Sequence, residues 1–292
     1  MREIAPDVAV VPMIMVNAYL VGKAGNWILV DAGAPGSTKR IKEAAETRFG
    51  PNARPRAIVL THGHFDHAGS ADELGRLWDV KVYAHRLEWP FLTGKSPYPP
   101  MDPTAPGFFA AISRLFPRRT ANLAGRVADL NGNLDALGFS DWQVIDTPGH
   151  TPGHVSYFRP RDKVLLAGDA LATVNMDNFF TLLLKKPEVY RPAVPATTDW
   201  DQARASVRSL AEVRPDVIGA GHGTPMRGAA GELEKLANNF PVPKHGRYVK
   251  QPARFDENGI TYLPPAPPDN APKIALAVAL ASAGVLLATK KR

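Results

Sequence analysis

Cysteine is absent from the 292 residues, which excludes disulfides, thiolate zinc sites, iron–sulfur clusters and a cysteine nucleophile in one step. Any metal must sit on imidazole and carboxylate. Net charge is also scarce over most of the chain. The formal total is +7, but residues 241–292 hold eight Lys or Arg against three Asp or Glu, leaving only +2 for the first 240. A nearly balanced body argues against a polyanionic ligand, so a small-molecule substrate and no nucleic-acid partner are expected. A repeat of fixed period is missing as well. The N-terminal MREIAPDVAVVPMIMV has two acids and two prolines where an export signal would carry a cationic start and an unbroken apolar run, so a cytoplasmic catalytic body is expected.

What is present is enough apolar residue, 45% of the chain, to bury one sizeable α/β core. Short β-rich runs at Val8–Val11, Ala18–Val21 and Trp27–Val30 are followed by a helical Lys39–Phe49, a strand Ala57–Thr61 and a helix Ser70–Trp78 with Ser70 as N-cap. Residues 88–128 are irregular, rich in proline and aromatics, and read either as a lid-like insertion forming a pocket wall or as a plain surface excursion. Strands at Trp142–Asp146, Val155–Phe158, Val164–Ala167 and Val217–Ala220 and a helix near Trp200–Val213 complete a domain over residues 1–240.

Within that frame stands Thr61-His62-Gly63-His64-Phe65-Asp66-His67. Chance would produce H-x-H-x-D-H in such a composition on the order of once in a few thousand chains. In extended backbone His62 and His64 project to one side, and the following turn swings Asp66 and His67 toward a second position. His150, Asp169 and His222 each interrupt a Gly-rich turn after an apolar run, where a side chain can point into a common cleft. His154 reads as a support for the ligands or a structural residue, His85 and His245 as surface or packing residues, and Asp31 as either a support or a turn former.

The chain resembles the metallo-β-lactamase superfamily over about residues 8–225, in the order H-x-H-x-D-H, His, Asp, His. The resemblance implies a four-layer αββα sandwich. It also implies two divalent ions, zinc first with manganese or iron tolerated, one on His62, His64 and His150, the other on Asp66, His67 and His222, with Asp169 bridging. The expected chemistry is hydrolysis by metal-activated hydroxide, with Asp66 doubling as general acid. His64 stands where the oxygen-reducing iron branch usually has Glu, which disfavours redox chemistry. Ester, lactone and thioester substrates fit best. A phosphodiesterase of the same fold and a non-catalytic metal-stabilised binding protein are the alternatives, and the closed four-coordinate habit of structural zinc sites argues against the second. Gly221-His-Gly-Thr-Pro departs from the glyoxalase II pattern, and Ala172 stands where acyl-homoserine lactonases place a tyrosine, so no single substrate is named.

After residue 240 comes a basic, then proline-rich, extension to 272, followed by Lys273, sixteen uncharged residues Ile274–Thr289, and Lys290, Lys291 and Arg292. As a helix that run spans ~24 Å, short of the ~30 Å hydrocarbon core. It reads either as a packing helix or, with its flanking cations reaching both interfaces, as a membrane tether.

Overall fold

Strands whose neighbouring side chains are all apolar must be covered on both faces, and the chain is built around that demand. The computed structural model describes residues 1–120 and 122–269. Its first sheet takes β1 (Arg2–Ala5), β2 (Val8–Pro12), β3 (Asn17–Lys23), β4 (Asn26–Val30), β5 (Ile58–Val59), β6 (Val82–Ala84) and β7 (Val127–Asp129) in sequence order. The first four pair antiparallel and the last four parallel. In chain order β8 (Gln143–Asp146), β9 (Val155–Arg159), β10 (Val164–Gly168), β13 (Val217–Ala220) and β14 (Met226–Arg227) form a second sheet, ordered β14-β13-β10-β9-β8, while β11 (Ala172–Val174) and β12 (Pro187–Tyr190) form a separate hairpin.

The period of two sorts each strand between layers. Tyr19, Val21, Ile28 and Val30 point into the space between the sheets, where they meet Val155, Tyr157, Val164 and Leu166. Their neighbours Leu20, Trp27 and Leu29 face outward onto helices α1 (Thr38–Phe49) and α3 (Ala71–Leu77). On the far side, Leu165, Ala167 and Ile218 pack under α7 (Trp200–Glu212) and α8 (Ala230–Asn238). The result is the αββα order, and each fully buried Leu or Val in it contributes about 1.5–3 kcal/mol. Trp27 anchors one outer layer: it stacks on Phe49 at 4.7 Å and meets Trp78 edge-on at 5.6 Å.

Ser70 does occupy the N-cap of α3, but its hydroxyl makes no capping bond. It donates instead to the Ala34 carbonyl at 2.7 Å and accepts from the Ser37 N–H, tying the helix start to the loop after β4. The 88–128 stretch holds two short helices, α4 (Trp89–Leu92) and α5 (Phe108–Ile112). Residues 241–269 lie along it: Tyr248 donates to the Pro100 carbonyl at 2.6 Å, and a last hairpin, β15 (Arg254–Asp256) with β16 (Gly259–Tyr262), sets Phe255 against Phe91. The apolar run Ile274–Thr289, with its two readings, lies outside the described residues. Among the described residues no helix is long and apolar enough to cross a membrane.

Candidate metal centre

Every residue singled out as a ligand follows the C-terminal end of a strand or the turn after it. Parallel pairing of β4 with β5 and of β10 with β13 puts those ends on one edge of the sandwich. His62 and His64 leave β5; one turn of helix, α2 (Phe65–Ala68), opens with the His67 and Ala68 N–H groups on the His64 carbonyl and turns Asp66 and His67 inward. His150 comes from the β8–β9 turn, Asp169 from the end of β10 and His222 from the end of β13.

The structure brings all seven together. His62 Nε2 lies 3.0 Å from His64 Nδ1, which lies 3.1 Å from His150 Nε2. His222 Nε2 is 3.5 Å from Asp66 Oδ2. Asp169 reaches both groups, with Oδ2 at 3.5 Å from His150 Nε2 and 3.1 Å from His222 Nε2, and Oδ1 at 3.4 Å from His67 Nε2. Gly221 permits this closeness, because a Cβ there would run into Asp169 Oδ1 and the His67 ring.

Partners outside the cluster decide which nitrogen faces in. Thr61 Oγ1 gives its proton to Asp31 and so accepts from His62 Nδ1 at 3.1 Å. Thr197 Oγ1 gives its proton to the Ala193 carbonyl and accepts from His150 Nδ1 at 3.3 Å. Asp31 takes His67 Nδ1–H at 2.8 Å, and the Met15 carbonyl takes His222 Nδ1–H at 2.6 Å. Four imidazoles thereby turn Nε2 to the centre, and His64 alone offers Nδ1; such fixed ring orientations are what a metal site requires. Asp31 is therefore a support, held at φ 61 where its carboxylate also accepts the Thr61 N–H at 2.8 Å. His154 is a support too: its Nε2 accepts the Asp169 N–H at 2.9 Å while Nδ1 bonds Thr147, which leaves no ring nitrogen for an ion. His85 accepts from the Leu87 N–H and starts a turn.

Electrostatics divide the cluster. Burial pushes His62 and His150 well below the ordinary histidine range, His64 to about 4 and His154 to about 3. At His67 and His222 burial acts the same way, but the Asp169 charge, helped by Asp66 at both and by Asp31 at His67, outweighs it and raises both. Burial also resists ionisation of Asp169, yet His222 and His67 hold it well below the carboxylate range. His67 Nε2 and Asp169 Oδ1 are buried without a hydrogen-bond partner, an arrangement normally costly and relieved by a cation between them. Three triads, His62/His64/His150, His62/His67/Asp169 and Asp66/His67/His222, bring their donor atoms within 4.8 Å of one another. The donor set fits two divalent ions, with Asp169 shared.

Three contributors have no signal in the sequence. Glu88 is fully buried and accepts the Gly63 N–H at 3.0 Å and the Gly153 N–H at 2.8 Å, clamping the two loops that carry His62, His64 and His150. Tyr98 donates to the same carboxylate and lays its ring 4.5 Å from His64. Thr197, which orients His150, is the third. Beside the cluster opens a cleft of about 410 Å³ lined mainly by Met13, Ile14, Phe65, Phe109 and Phe116, with Arg40, Asp66 and His222 as its charged or titratable members. Phe109 and Phe116 come from the 88–128 stretch, which serves here as a pocket wall.

The metallo-β-lactamase superfamily model matches residues 11–222. The chain is 40% identical over 230 residues to the probable metallo-hydrolase YflN of Bacillus subtilis, covering 77% of this chain and 87% of that one. It is 29% identical over 116 residues to the hydroxyacylglutathione hydrolase GloC of Haemophilus influenzae, covering 40% and 50%. Among solved structures it is similar to TTHA1623 in a di-iron-bound form, at 27% identity and TM-score 0.55, covering 80% of this chain and 99% of that one. With the αββα order and the ligand cluster already in place, these matches lead to one conclusion: the chain belongs to the metallo-β-lactamase superfamily.

Proposed function

We propose that this metallo-hydrolase cleaves a carboxylic ester, lactone or thioester bond in a small, partly apolar molecule. The observation that carries the reading is the cleft: its walls are apolar, its one basic side chain is Arg40, and it opens onto Asp66 and His222. Such walls suit an acyl group, and Arg40 suits a single polar or anionic end, whereas a nucleic-acid phosphodiester calls for several cations. The partial match to GloC keeps thioesters within the class.

His62, His64 and His150 would hold one ion and Asp66, His67 and His222 the other, with Asp169 between them. Imidazole with carboxylate suits zinc first, and iron or manganese next. The chemistry such ions supply is Lewis acidity: water acidified toward neutrality and a polarised carbonyl. The chain's own residues do the rest. Asp66 alone among the seven keeps part of its side chain exposed, so it is placed to take up a proton and return it to the leaving oxygen or sulfur. The walls from Phe65, Phe109 and Phe116 exclude water and position the acyl group.

The test is a panel of nitrophenyl esters, γ- and δ-lactones, acylglutathione thioesters and bis(nitrophenyl) phosphate with metal-loaded protein. Turnover of one carboxyl class, abolished in Asp66→Asn, supports the reading. Turnover of the phosphodiester alone contradicts it.

A further inference from the structure

Next to the cleft lies an apolar surface that hydrolysis does not use. Helix α6 (Phe179–Leu183) buries none of its five residues, and Phe180 is 69%, Leu183 62% and the following Leu184 75% exposed. Asn178 caps the helix through its side chain, accepting the Phe180 and Thr181 N–H groups, so the exposure belongs to an ordered element. Phe179 meets Phe108 at 4.9 Å. A small cavity between α6 and the β2–β3 loop is lined by Leu182, Lys185 and Ile14, and Ile14, 89% exposed, also lines the main cleft. Leu115, 83% exposed, adjoins the cleft-lining Phe116. A contiguous apolar face of this kind around a cleft mouth marks an interaction surface.

Its charge says what it meets. The segments that build it, residues 8–22, 104–120 and 178–187, contain no Asp or Glu, and they carry Arg114, Arg118, Arg119, Lys185 and Lys186. Arg114, next to Leu115, pairs at 2.9 Å with Asp269, which precedes the uncharged run 274–289 by five positions. That run is flanked by Lys273, Lys290, Lys291 and Arg292 and contains no acid. Cations with apolar neighbours complement a negatively charged bilayer, where apolar side chains insert and lysines reach the headgroups.

We propose that the face built from Ile14, Leu115 and Phe179–Leu184 docks on an anionic lipid surface and turns the cleft mouth toward the bilayer. This inference stands apart from the bond cleaved: it concerns where the cleft opens, whichever substrate enters.

The chain's lack of cysteine supplies the experiment. In the full-length protein, Phe180→Cys is labelled with an environment-sensitive nitrobenzoxadiazole dye, and Arg161→Cys, in the β9–β10 turn away from the ligand edge, serves as control. With phosphatidylcholine vesicles containing phosphatidylglycerol, the dye at 180 is expected to brighten and shift to the blue and the control to stay unchanged, with little response to phosphatidylcholine alone. Phe180→Ser with Leu184→Ser should weaken vesicle binding roughly tenfold, and Lys185→Glu with Lys186→Glu should remove the preference for the anionic lipid. Vesicle binding with no change at position 180 would overturn the proposal, because the terminal run alone would then hold the protein. So would a dye at 180 that is already apolar in its surroundings before vesicles are added, which would place that run or a second copy on the face.

Discussion

The two ligand sets meet at Asp169 but are built on different principles. His62, His64 and His150 form a neutral set. Their nitrogens stand 3.0 and 3.1 Å apart, burial keeps them deprotonated, and the backbone that carries them is clamped by one hidden carboxylate, Glu88, through Gly63 and Gly153. The set of Asp66, His67 and His222 is charged. It is backed by Asp31 and the Met15 carbonyl, the neighbouring carboxylates raise the pKa of its histidines, and it faces the cleft. On the proposed function, the first half would retain an ion and the second would meet substrate and exchange protons. The contrast follows from where carboxylates lie: Asp31, Asp66 and Asp169 surround His67, and Asp66 and Asp169 also act on His222.

The largest effect should come from the residue that belongs to both halves. Asp169→Ala is expected to lower kcat/KM by on the order of 10³-fold or more and to cut the bound metal, while circular dichroism stays native because the core lies in other layers. Unchanged metal content would show that the halves do not share this carboxylate. Next, Glu88→Ala strips an acceptor from two backbone N–H groups and from the Tyr98 hydroxyl, which should cost about 2–5 kcal/mol in denaturant unfolding and loosen the neutral set before the charged one. Glu88→Gln, which keeps a carbonyl acceptor, should recover part of that loss.

Asp31→Asn probes the other half. Weakening the bond to His67 Nδ1 should reduce affinity for the second ion by about 10–100-fold, and because Asp31 also takes the Thr61 proton that turns Thr61 toward His62, the first ion should weaken too but by less, as read by competition with a chelating dye. Acidity should separate the halves in the same order. His67 and His222 have raised pKa values, so protons compete with a metal for them at higher pH than for the neutral set, in which His64 is lowered to about 4. Lowering pH through neutrality should therefore weaken the second ion first, by up to about tenfold per unit for each proton displaced; simultaneous loss of both ions would contradict the division. The smallest effect is expected for His85→Ala, which removes only a turn contact to Leu87 and should change activity by less than about twofold.

How far the sequence carried depends on the range of the interaction. H-x-H-x-D-H was legible because one short loop holds four of the ligands, and the remaining three each end an apolar run at a glycine-rich turn. The layer order was legible only through the family resemblance that those ligands carry; Trp27–Val30 and Val164–Ala167, apolar at every position, agree with it as strands covered on both faces. Glu88 was not: its partners lie 25 and 65 positions away, and a lone acid in Arg-Leu-Glu-Trp-Pro looks like a solvated turn until the loops close over it. The β11–β12 hairpin, α6 and α8 were not legible for a related reason. Their faces are defined by what they pack against, in α6 by little beyond Phe108 and the cluster under Leu182, rather than by a period in the chain. Asp31 reads two ways in the sequence, as turn former or support, and both hold: it is a turn residue in φ and a support in its side chain.

Metal content tests the central claim most directly. The full-length protein, stripped with a chelator and titrated with zinc at about pH 7.5, should bind about two ions per chain in two resolved steps, with His222→Ala retaining the tighter step alone. A stoichiometry that stays at or below one in excess zinc would contradict the account of two ligand sets joined by Asp169.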